Sequence, residues 1–138
     1  MIKLSDVKLD CRHFRGHIPC KPNKLYGVMC DDCKYYDKIK NKILIIKLGA
    51  AGDVIRTTPL LYPIRKEYPD SKIYWLTYSP DLVPVNTDPK VDEVLKYNLQ
   101  NVSYLIATEF DIVVNLDKDY EAISLMNDIS SKKKIGYT

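Results

Sequence analysis

Short apolar runs and amphipathic stretches alternate along the chain from residue 42 onward. The clearest run is Ile43–Ile46, four consecutive aliphatic residues with a lysine on each side. Because a strand that is covered on both faces has no polar face, an unbroken run of this kind is typical of a central strand in a parallel sheet. Further strands are predicted at 72–77, 91–95 and 112–114, and a last one beginning at 135–136.

Helical spacing separates these strands. After the first strand, residues recur at intervals of three or four and predict a helix: Val54, Thr57, Leu61, Ile64 and Tyr68. Two prolines interrupt this stretch, so the alternative is a second helix that Pro59 opens with Thr58 as its N-cap. Further helices are predicted at 102–108 and 120–129, and the lysine run 132–134 is predicted to be a solvated turn.

The alternation of strands with helices predicts a doubly wound α/β fold with a mainly parallel, Rossmann-like sheet. In a strand order of 3-2-1-4-5, the fourth strand lies beside the first. The composition changes near residues 38–42, and we therefore expect a domain boundary there. Residues 1–40 would form a small cysteine-rich segment, and residues 41–138 would form the α/β domain.

All four cysteines lie in the first quarter of the chain, at Cys11, Cys20, Cys30 and Cys33. A loop-rich segment of this size buries too little apolar surface to hold itself together and needs a staple. Four thiolates complete one tetrahedral zinc site, so we predict structural zinc. The alternatives left open are an iron–sulfur cluster, two disulfides, free buried cysteines, and ligation by His13 or His17, which are otherwise surface histidines.

Bulk properties narrow the class of protein. A net charge of +3 on 138 residues is too small to indicate a nucleic-acid partner. The N-terminus becomes polar within six residues, without an apolar signal region, and no apolar stretch approaches the ~20 residues of a membrane span. We therefore expect a cytoplasmic protein, in which reducing conditions favour a metal over disulfides.

Small residues follow the first strand, at Gly49, Ala50, Ala51 and Gly52. In open α/β sheets, ligands bind at the carboxyl ends of the strands. Small residues there let a ligand approach the backbone closely, and the N-terminus of the next helix favours anionic groups. The stretch lacks both the G-x-G-x-x-G spacing and the Gly-Lys-Ser/Thr of a P-loop. By itself, the loop predicts a ligand site without naming the ligand.

The longer stretch ILIIKLGAAGDVIRTTPLLYPIRKEYPDSKIYWLT resembles the N-terminal half of the heptosyltransferases, glycosyltransferase family nine. In that family the first strand leads into a small-residue loop, then Gly-Asp, two hydrophobic residues, a polar pair, and Pro with two hydrophobic residues. Here the pattern runs from Gly52 to Leu61. The segments FDIVVNLDKDYEAISLM and KKKIGYT also resemble the family, so the resemblance extends over residues 43–138.

The resemblance implies one half of a GT-B architecture, in which two Rossmann-like domains face a cleft. It implies an inverting transfer from a nucleotide-sugar, ADP-heptose in the best-known members, to lipopolysaccharide core or a related glycan or glycolipid. The N-terminal domain would hold the acceptor, and the missing C-terminal domain would hold most of the donor. We therefore expect no turnover by these residues alone. A glycolipid acceptor allows peripheral association with the inner membrane face.

The resemblance makes Asp53 the general base that takes the proton of an acceptor hydroxyl. The alternative role for Asp53 is that of a helix N-cap. Substrate contacts are expected from the small-residue loop, from Thr57 and from Arg56, whose alternative is a solvent-facing helix arginine. Asn115 and Asp117 end the fourth strand and are predicted to line the same crevice, with turn or helix-cap chemistry as the alternative.

Two functions of other classes remain open. One is a metal-stabilised module that binds a glycan or a protein without chemistry. The other is a nucleotide-binding regulator that uses the loop at residues 49–53. If the protein is an enzyme, its rate depends on the Asp53 carboxylate. If it is a binding module, replacing Asp53 leaves its activity unchanged. If it is a nucleotide-binding regulator, the isolated chain binds nucleotides through the loop.

Overall fold

The computed structural model of the chain describes residues 6–15, 18–85 and 89–138. Its contacts divide it into two compact units, one reaching to Lys40 and the other running from Asn41 to Thr138. Within the described ranges, no helix has both the length and the apolar character needed to cross a membrane.

The first unit has little regular structure in its described part. Helix α1 (Lys21–Tyr26) begins after Cys20 and ends at Gly27, whose φ of 68° lies in the left-handed region that favours glycine. A 3-10 turn spans Cys30–Asp32, and an isolated antiparallel bridge pairs Cys11 with Lys38. The residues of this unit are mostly exposed or half-buried, which leaves it without an extended apolar core in the part that the structure describes.

The second unit is built on a parallel sheet, which has five strands within the described residues, in the order β3-β2-β1-β4-β5. The strands are β1 (Asn41–Ile46), β2 (Ser71–Thr77), β3 (Glu93–Lys96), β4 (Phe110–Asn115) and β5 (Ser131–Gly136). The central strand, β1, pairs with β2 over its whole length and with β4 over its last four residues. The predicted α/β class is confirmed, and the strands take the 3-2-1-4-5 order, in which the fourth strand lies beside the first.

Helices cover both faces of this sheet: α2 (Ala51–Thr57), α3 (Leu61–Glu67), α4 (Leu99–Ile106) and α5 (Tyr120–Asp128). Alternate strand residues point to opposite faces. On one face, Ile45 and Trp75 belong to a buried cluster with Val54 of α2 and Leu61 of α3. On the other face, strand residues pack with Leu105 of α4 and with residues of α5: Leu44, Ile46, Tyr74 and Leu76 against Ala122, Leu125 and Met126.

The last strand corrects the prediction of a turn at residues 132–134. These lysines lie in β5, which pairs with β4 from Phe110↔Ser131 to Asn115↔Gly136. Their side chains are exposed, because β5 is the edge strand of the described sheet. An edge strand can be held by its backbone hydrogen bonds alone, so it needs no apolar side chains. Lysines on an edge strand also discourage pairing with another chain.

Several helix boundaries also differ from the predictions. Thr58 and Pro59 lie in a 3-10 turn between α2 and α3, and Thr58 Oγ1 donates to the Ile55 carbonyl at 2.7 Å, so Thr58 is not an N-cap. Helix α4 begins at Leu99, three residues earlier than predicted. The reason is the Asn98 side chain, which accepts a hydrogen bond from Asn101 N at 2.8 Å and caps the helix.

Candidate functional site

The carboxyl ends of the parallel strands meet at one edge of the sheet, where open α/β proteins bind ligands. Residues 47–50 leave β1 there, and residues 116–119 leave the adjacent β4. Two hydrogen bonds continue the pairing beyond the strands: Leu116 N donates to Ile46 O at 2.9 Å, and Tyr78 N donates to Leu48 O at 2.8 Å. The loops after β1, β2 and β4 are therefore held side by side.

A buried ion pair joins the loop after β1 to the loop after β4. Lys47 is 8% exposed and Asp117 is 6% exposed, and Lys47 Nζ lies 2.5 Å from Asp117 Oδ1. The second carboxylate oxygen of Asp117 accepts a hydrogen bond from Leu48 N, and Lys47 Nζ also donates to the Gly49 carbonyl. Each charge is thus paired and hydrogen-bonded, the condition under which a buried ion pair is tolerated.

Asn115 connects this pair to the last strand. Its side chain is fully buried; Oδ1 accepts from Asp117 N at 3.0 Å, and Nδ2 donates to the Tyr137 carbonyl at 2.9 Å. Asn115 and Asp117 therefore lie at the predicted edge, with their polar groups bonded inside the protein. The helix-cap alternative does not describe Asp117, because its carboxylate bonds to Lys47 and Leu48, far along the chain.

Asp53 stands in the first turn of α2 with its carboxylate open to solvent. The helix begins at Ala51 with Ala50 at the N-cap position, so the N-cap interpretation of Asp53 is wrong. The Asp53 side chain is 53% exposed, and the Arg56 guanidinium, itself highly exposed, lies 3.6 Å away. A carboxylate in this position can accept a hydrogen bond or a proton from a molecule bound at the edge of the sheet.

The remaining predicted contact residues surround Asp53 on the loop and on α2. A Cβ atom on Gly52 would meet nothing within 4 Å, whereas one on Gly49 would lie 3.6 Å from Tyr78 Cδ2. Ala51, like Gly52, is exposed. Thr57 Oγ1 donates back to the Val54 carbonyl at 2.8 Å, so this hydroxyl proton is used within the helix.

Two tyrosines at this edge were missed by the sequence reasoning. Tyr78 follows β2 and Tyr97 follows β3, and their rings meet edge to face with centroids 5.5 Å apart. Burial is the largest cause that raises the pKa of Tyr78 above its usual value, and the negative charges of Glu121, Asp119 and Asp117 add to it. Since parallel strands share one carboxyl edge, the position of Tyr78 directly after a strand was an available signal.

The four predicted metal ligands form a second candidate site, confined to the first unit. Cys11, Cys20, Cys30 and Cys33 all line one cavity, together with His13, and none of the four forms a disulfide. In their present positions, the described side chains form no group of three or more His, Cys, Asp or Glu residues that could hold a metal ion. His17, the other histidine considered as a ligand, lies outside the described residues.

Together, the parallel sheet, the helices on both faces and the ligand edge define a Rossmann-like domain. No family model matches the chain. Two curated relatives match, both named lipopolysaccharide heptosyltransferase 3: one from Escherichia coli, 25% identical over 99 residues, and one from Escherichia coli strain K12, 25% identical over 97 residues. Each match covers 61% of this chain and 28% of the relative.

Solved structures agree with this fold. The glycosyl transferase family 9 structure from Veillonella parvula DSM 2008 matches with a TM-score of 0.54 and 26% identity, over 70% of this chain and 31% of that one. The Escherichia coli heptosyltransferase WaaC with ADP-2-deoxy-2-fluoro heptose matches with a TM-score of 0.51 and 18% identity, over 67% and 35%. The second of these likenesses bears on the fold alone.

These matches establish homology to heptosyltransferases and to the glycosyltransferases of family 9. The chain contains a glycosyltransferase-like domain, and it spans about 28% of the length of the curated relatives that it matches.

Proposed function

We propose that this chain supplies the acceptor-side domain of an inverting glycosyltransferase in which Asp53 is the general base. The observation that carries the proposal is the exposed Asp53 carboxylate at the carboxyl edge of a sheet homologous to family 9 glycosyltransferases. Its ion-pair partner, Arg56, has its guanidinium 3.6 Å away and also faces solvent, so the carboxylate is accessible to a bound molecule.

The chemistry requires one proton transfer at this position. As the acceptor oxygen attacks the anomeric carbon of the sugar, a new carbon–oxygen bond forms and the bond to the nucleoside diphosphate breaks. The acceptor hydroxyl loses its proton to the Asp53 carboxylate, and the diphosphate leaves with the bonding electron pair. A general base at hydrogen-bond distance from the hydroxyl typically contributes 10²–10⁴-fold to such a rate.

The buried network beneath the loop serves to position Asp53. Lys47 donates to the Gly49 carbonyl, and Asp117 accepts from the Leu48 N–H. Both backbone groups belong to the short loop that precedes α2. Asn115 in turn orients Asp117, because the Asn115 side-chain oxygen accepts a hydrogen bond from the backbone N–H of Asp117. We assign Asn115 and Asp117 to this positioning, because their polar groups are already bonded within the protein.

The groups left for the acceptor are the open backbone at Gly52, the Tyr78 ring and the Arg56 guanidinium. No Cβ shields Gly52, and nothing in the described structure fills that space. The Tyr78 ring is partly exposed and offers an apolar face beside hydrogen-bonding groups, an arrangement suited to a sugar ring. Arg56 would meet an acidic substituent of the acceptor.

The donor and the location follow from the homology. We infer that the donor is a nucleotide-sugar such as ADP-heptose, bound mainly by a second domain outside these residues, and that the acceptor is a lipopolysaccharide-type glycan or glycolipid. This is supported by the two curated relatives, both of which are named lipopolysaccharide heptosyltransferase 3. A glycolipid acceptor would bring the protein to the cytoplasmic face of the inner membrane.

Acceptor binding can be tested on the chain by itself. We expect a lipopolysaccharide core oligosaccharide to shift the amide NMR signals of residues 49–57 and Tyr78, and to leave those of α3 unchanged. ADP-heptose alone should shift none of them. Shifts at 49–53 caused by a nucleotide alone would favour the nucleotide-binding regulator instead.

The catalytic role is tested in a protein that joins these residues to a donor-binding domain. Asp53→Asn should lower kcat roughly 100-fold or more while acceptor binding is kept. Asp128→Asn is the matched control, because Asp128 is exposed at the far end of α5 and its change should leave kcat unaltered. An unchanged kcat for Asp53→Asn would remove the general base and favour a non-catalytic binding module.

A further inference from the structure

In the part of the first unit whose burial is described, there is little of the apolar burial that normally holds a folded segment together. Among its residues whose burial is described, Pro22 and Ile39 alone are buried, and large apolar side chains such as Leu25 and Met29 are exposed. Its regular elements with described bounds are short and include a six-residue helix, the 3-10 turn at Cys30–Asp32 and an isolated bridge. Segments of about 40 residues with so little core depend on a metal, a disulfide or a partner.

The four cysteines converge although up to 22 positions separate them in the sequence. All four line the same cavity, whose volume is about 40 Å³, enough for one small ion or water molecule. Each of them is half-buried, and all four are free thiols. Thiolates are soft ligands, and a set of four is typical of a structural zinc site or an iron–sulfur cluster.

The backbone around these thiols supports ligation. Cys30 opens the 3-10 turn and Cys33 directly follows it, so the C-x-x-C pair sits on one tight turn. Cys11 lies in the bridge to Lys38, and Asp37 N donates to Cys11 Sγ at 3.5 Å. An N–H···S bond stabilises a thiolate and orients it, as hydrogen bonds to metal ligands generally do.

We propose that Cys11, Cys20, Cys30 and Cys33 bind one Zn²⁺ ion and that this ion stabilises the first unit. Binding would draw the thiols together, since the described side chains do not stand at coordinating distances. Each thiol loses its proton on binding, so that the binding free energy becomes folding free energy of this unit. The proposal is independent of the glycosyl transfer proposed for the α/β unit.

The first test is metal analysis of the full 138-residue chain, purified under reducing conditions without chelator and then supplied with zinc chloride. Native mass spectrometry should find one zinc per chain. Each of the four Cys→Ser variants should bind zinc at least ~100-fold more weakly, because even groups outside the ligand shell change metal affinity by 10–100-fold. His13→Asn is the matched control, since His13 lines the same cavity, and it should keep wild-type affinity.

A second readout covers variants that fail to fold. Cobalt substituted for zinc in the wild-type chain should give the strong thiolate-to-cobalt charge-transfer band of a four-thiolate site. Excess EDTA should remove hydrogen-exchange protection from residues 6–40, while the fluorescence of Trp75, the single tryptophan, stays unchanged because it is buried in β2. Failure of the reduced chain to bind zinc, iron with sulfide in its place, or loss of zinc in His13→Asn would each overturn the four-cysteine zinc site.

Discussion

In the α/β unit every residue of β2 is buried, whereas in the cysteine-rich unit burial is confined to Pro22 and Ile39 among the residues whose burial is described. The parallel sheet is stable because both faces of its central strands are removed from water, and this burial is the main favourable term in folding. The first unit cannot draw on that term to the same extent. The contrast indicates that one chain combines two means of stabilisation, apolar burial and the proposed metal ligation.

The largest expected effect concerns charge inside the α/β unit. Lys47→Met leaves the buried Asp117 carboxylate unpaired and should lower the free energy of unfolding by about 3–5 kcal/mol. Lys132→Met is the control, because Lys132 is 85% exposed in its pair with Asp111 and should change stability by about 0–1 kcal/mol. Urea denaturation followed by Trp75 fluorescence measures both.

A second variant checks the cause of that loss. Adding Asp117→Asn to Lys47→Met removes the unpaired charge and should recover part of the stability. No recovery would mean that Lys47 acts through packing of its aliphatic stem, not through its charge.

The same substitution made in each unit tests the contrast directly. Leu76→Ala removes a side chain that is 0% exposed in β2 and should lower the free energy of unfolding by about 2–5 kcal/mol. Leu25→Ala in α1 removes a side chain that is 59% exposed and should lower the free energy of unfolding by less than about 0.5 kcal/mol. Hydrogen exchange reports each unit separately. Similar losses would show that the first unit relies on apolar contacts after all.

Glycine substitutions separate backbone strain from crowding. Gly136 has a φ of 100°, and a Cβ there would lie 1.9 Å from the Asn115 carbonyl oxygen, so Gly136→Ala should cost about 1–3 kcal/mol and weaken β5 pairing. Gly27→Ala carries left-handed strain without a contact within 4 Å and should cost about 1 kcal/mol in the first unit. Slower amide hydrogen exchange of β5 in Gly136→Ala than in the wild type would contradict this expectation.

The smallest effect is a titration at the carboxyl edge. The pKa of Tyr78 should exceed 10.0, mainly through burial, so the stability it contributes is full below pH 10 and is lost as pH rises through the folded-state value. Glu121→Gln should lower this pKa without returning it to 10.0, because burial remains. NMR of ¹³C-labelled tyrosine measures both values, and an ordinary pKa in the wild type would show that the partial burial of this 44% exposed residue is too slight to shift its titration.

Much of the fold could be predicted because its signals are local. The run Ile43–Ile46 marks a strand with two buried faces, and Ala122, Leu125 and Met126 mark the apolar side of α5. The error at 132–134 has a physical reason. A strand at the exposed edge is held by backbone bonds to β4, so its side chains carry no apolar pattern.

The candidate site was predictable in part. Parallel topology placed Asn115 and Asp117 beside the loop after β1, and the structure finds them there. Their bonding partners were not predictable, because Lys47 and Asp117 are 70 residues apart and nothing local in the sequence pairs them. Tyr78 and Tyr97 were overlooked since single tyrosines carry no periodic signal.

The sequence by itself determined the α/β class and the clustering of cysteines in one segment, because hydrophobic period and residue type act locally along the chain. Only the tertiary structure decided which polar groups became buried partners, which carboxylate stayed open, and that four distant thiols share one cavity. Those outcomes depend on contacts between residues far apart in sequence, which exist only once the strands and loops have come together.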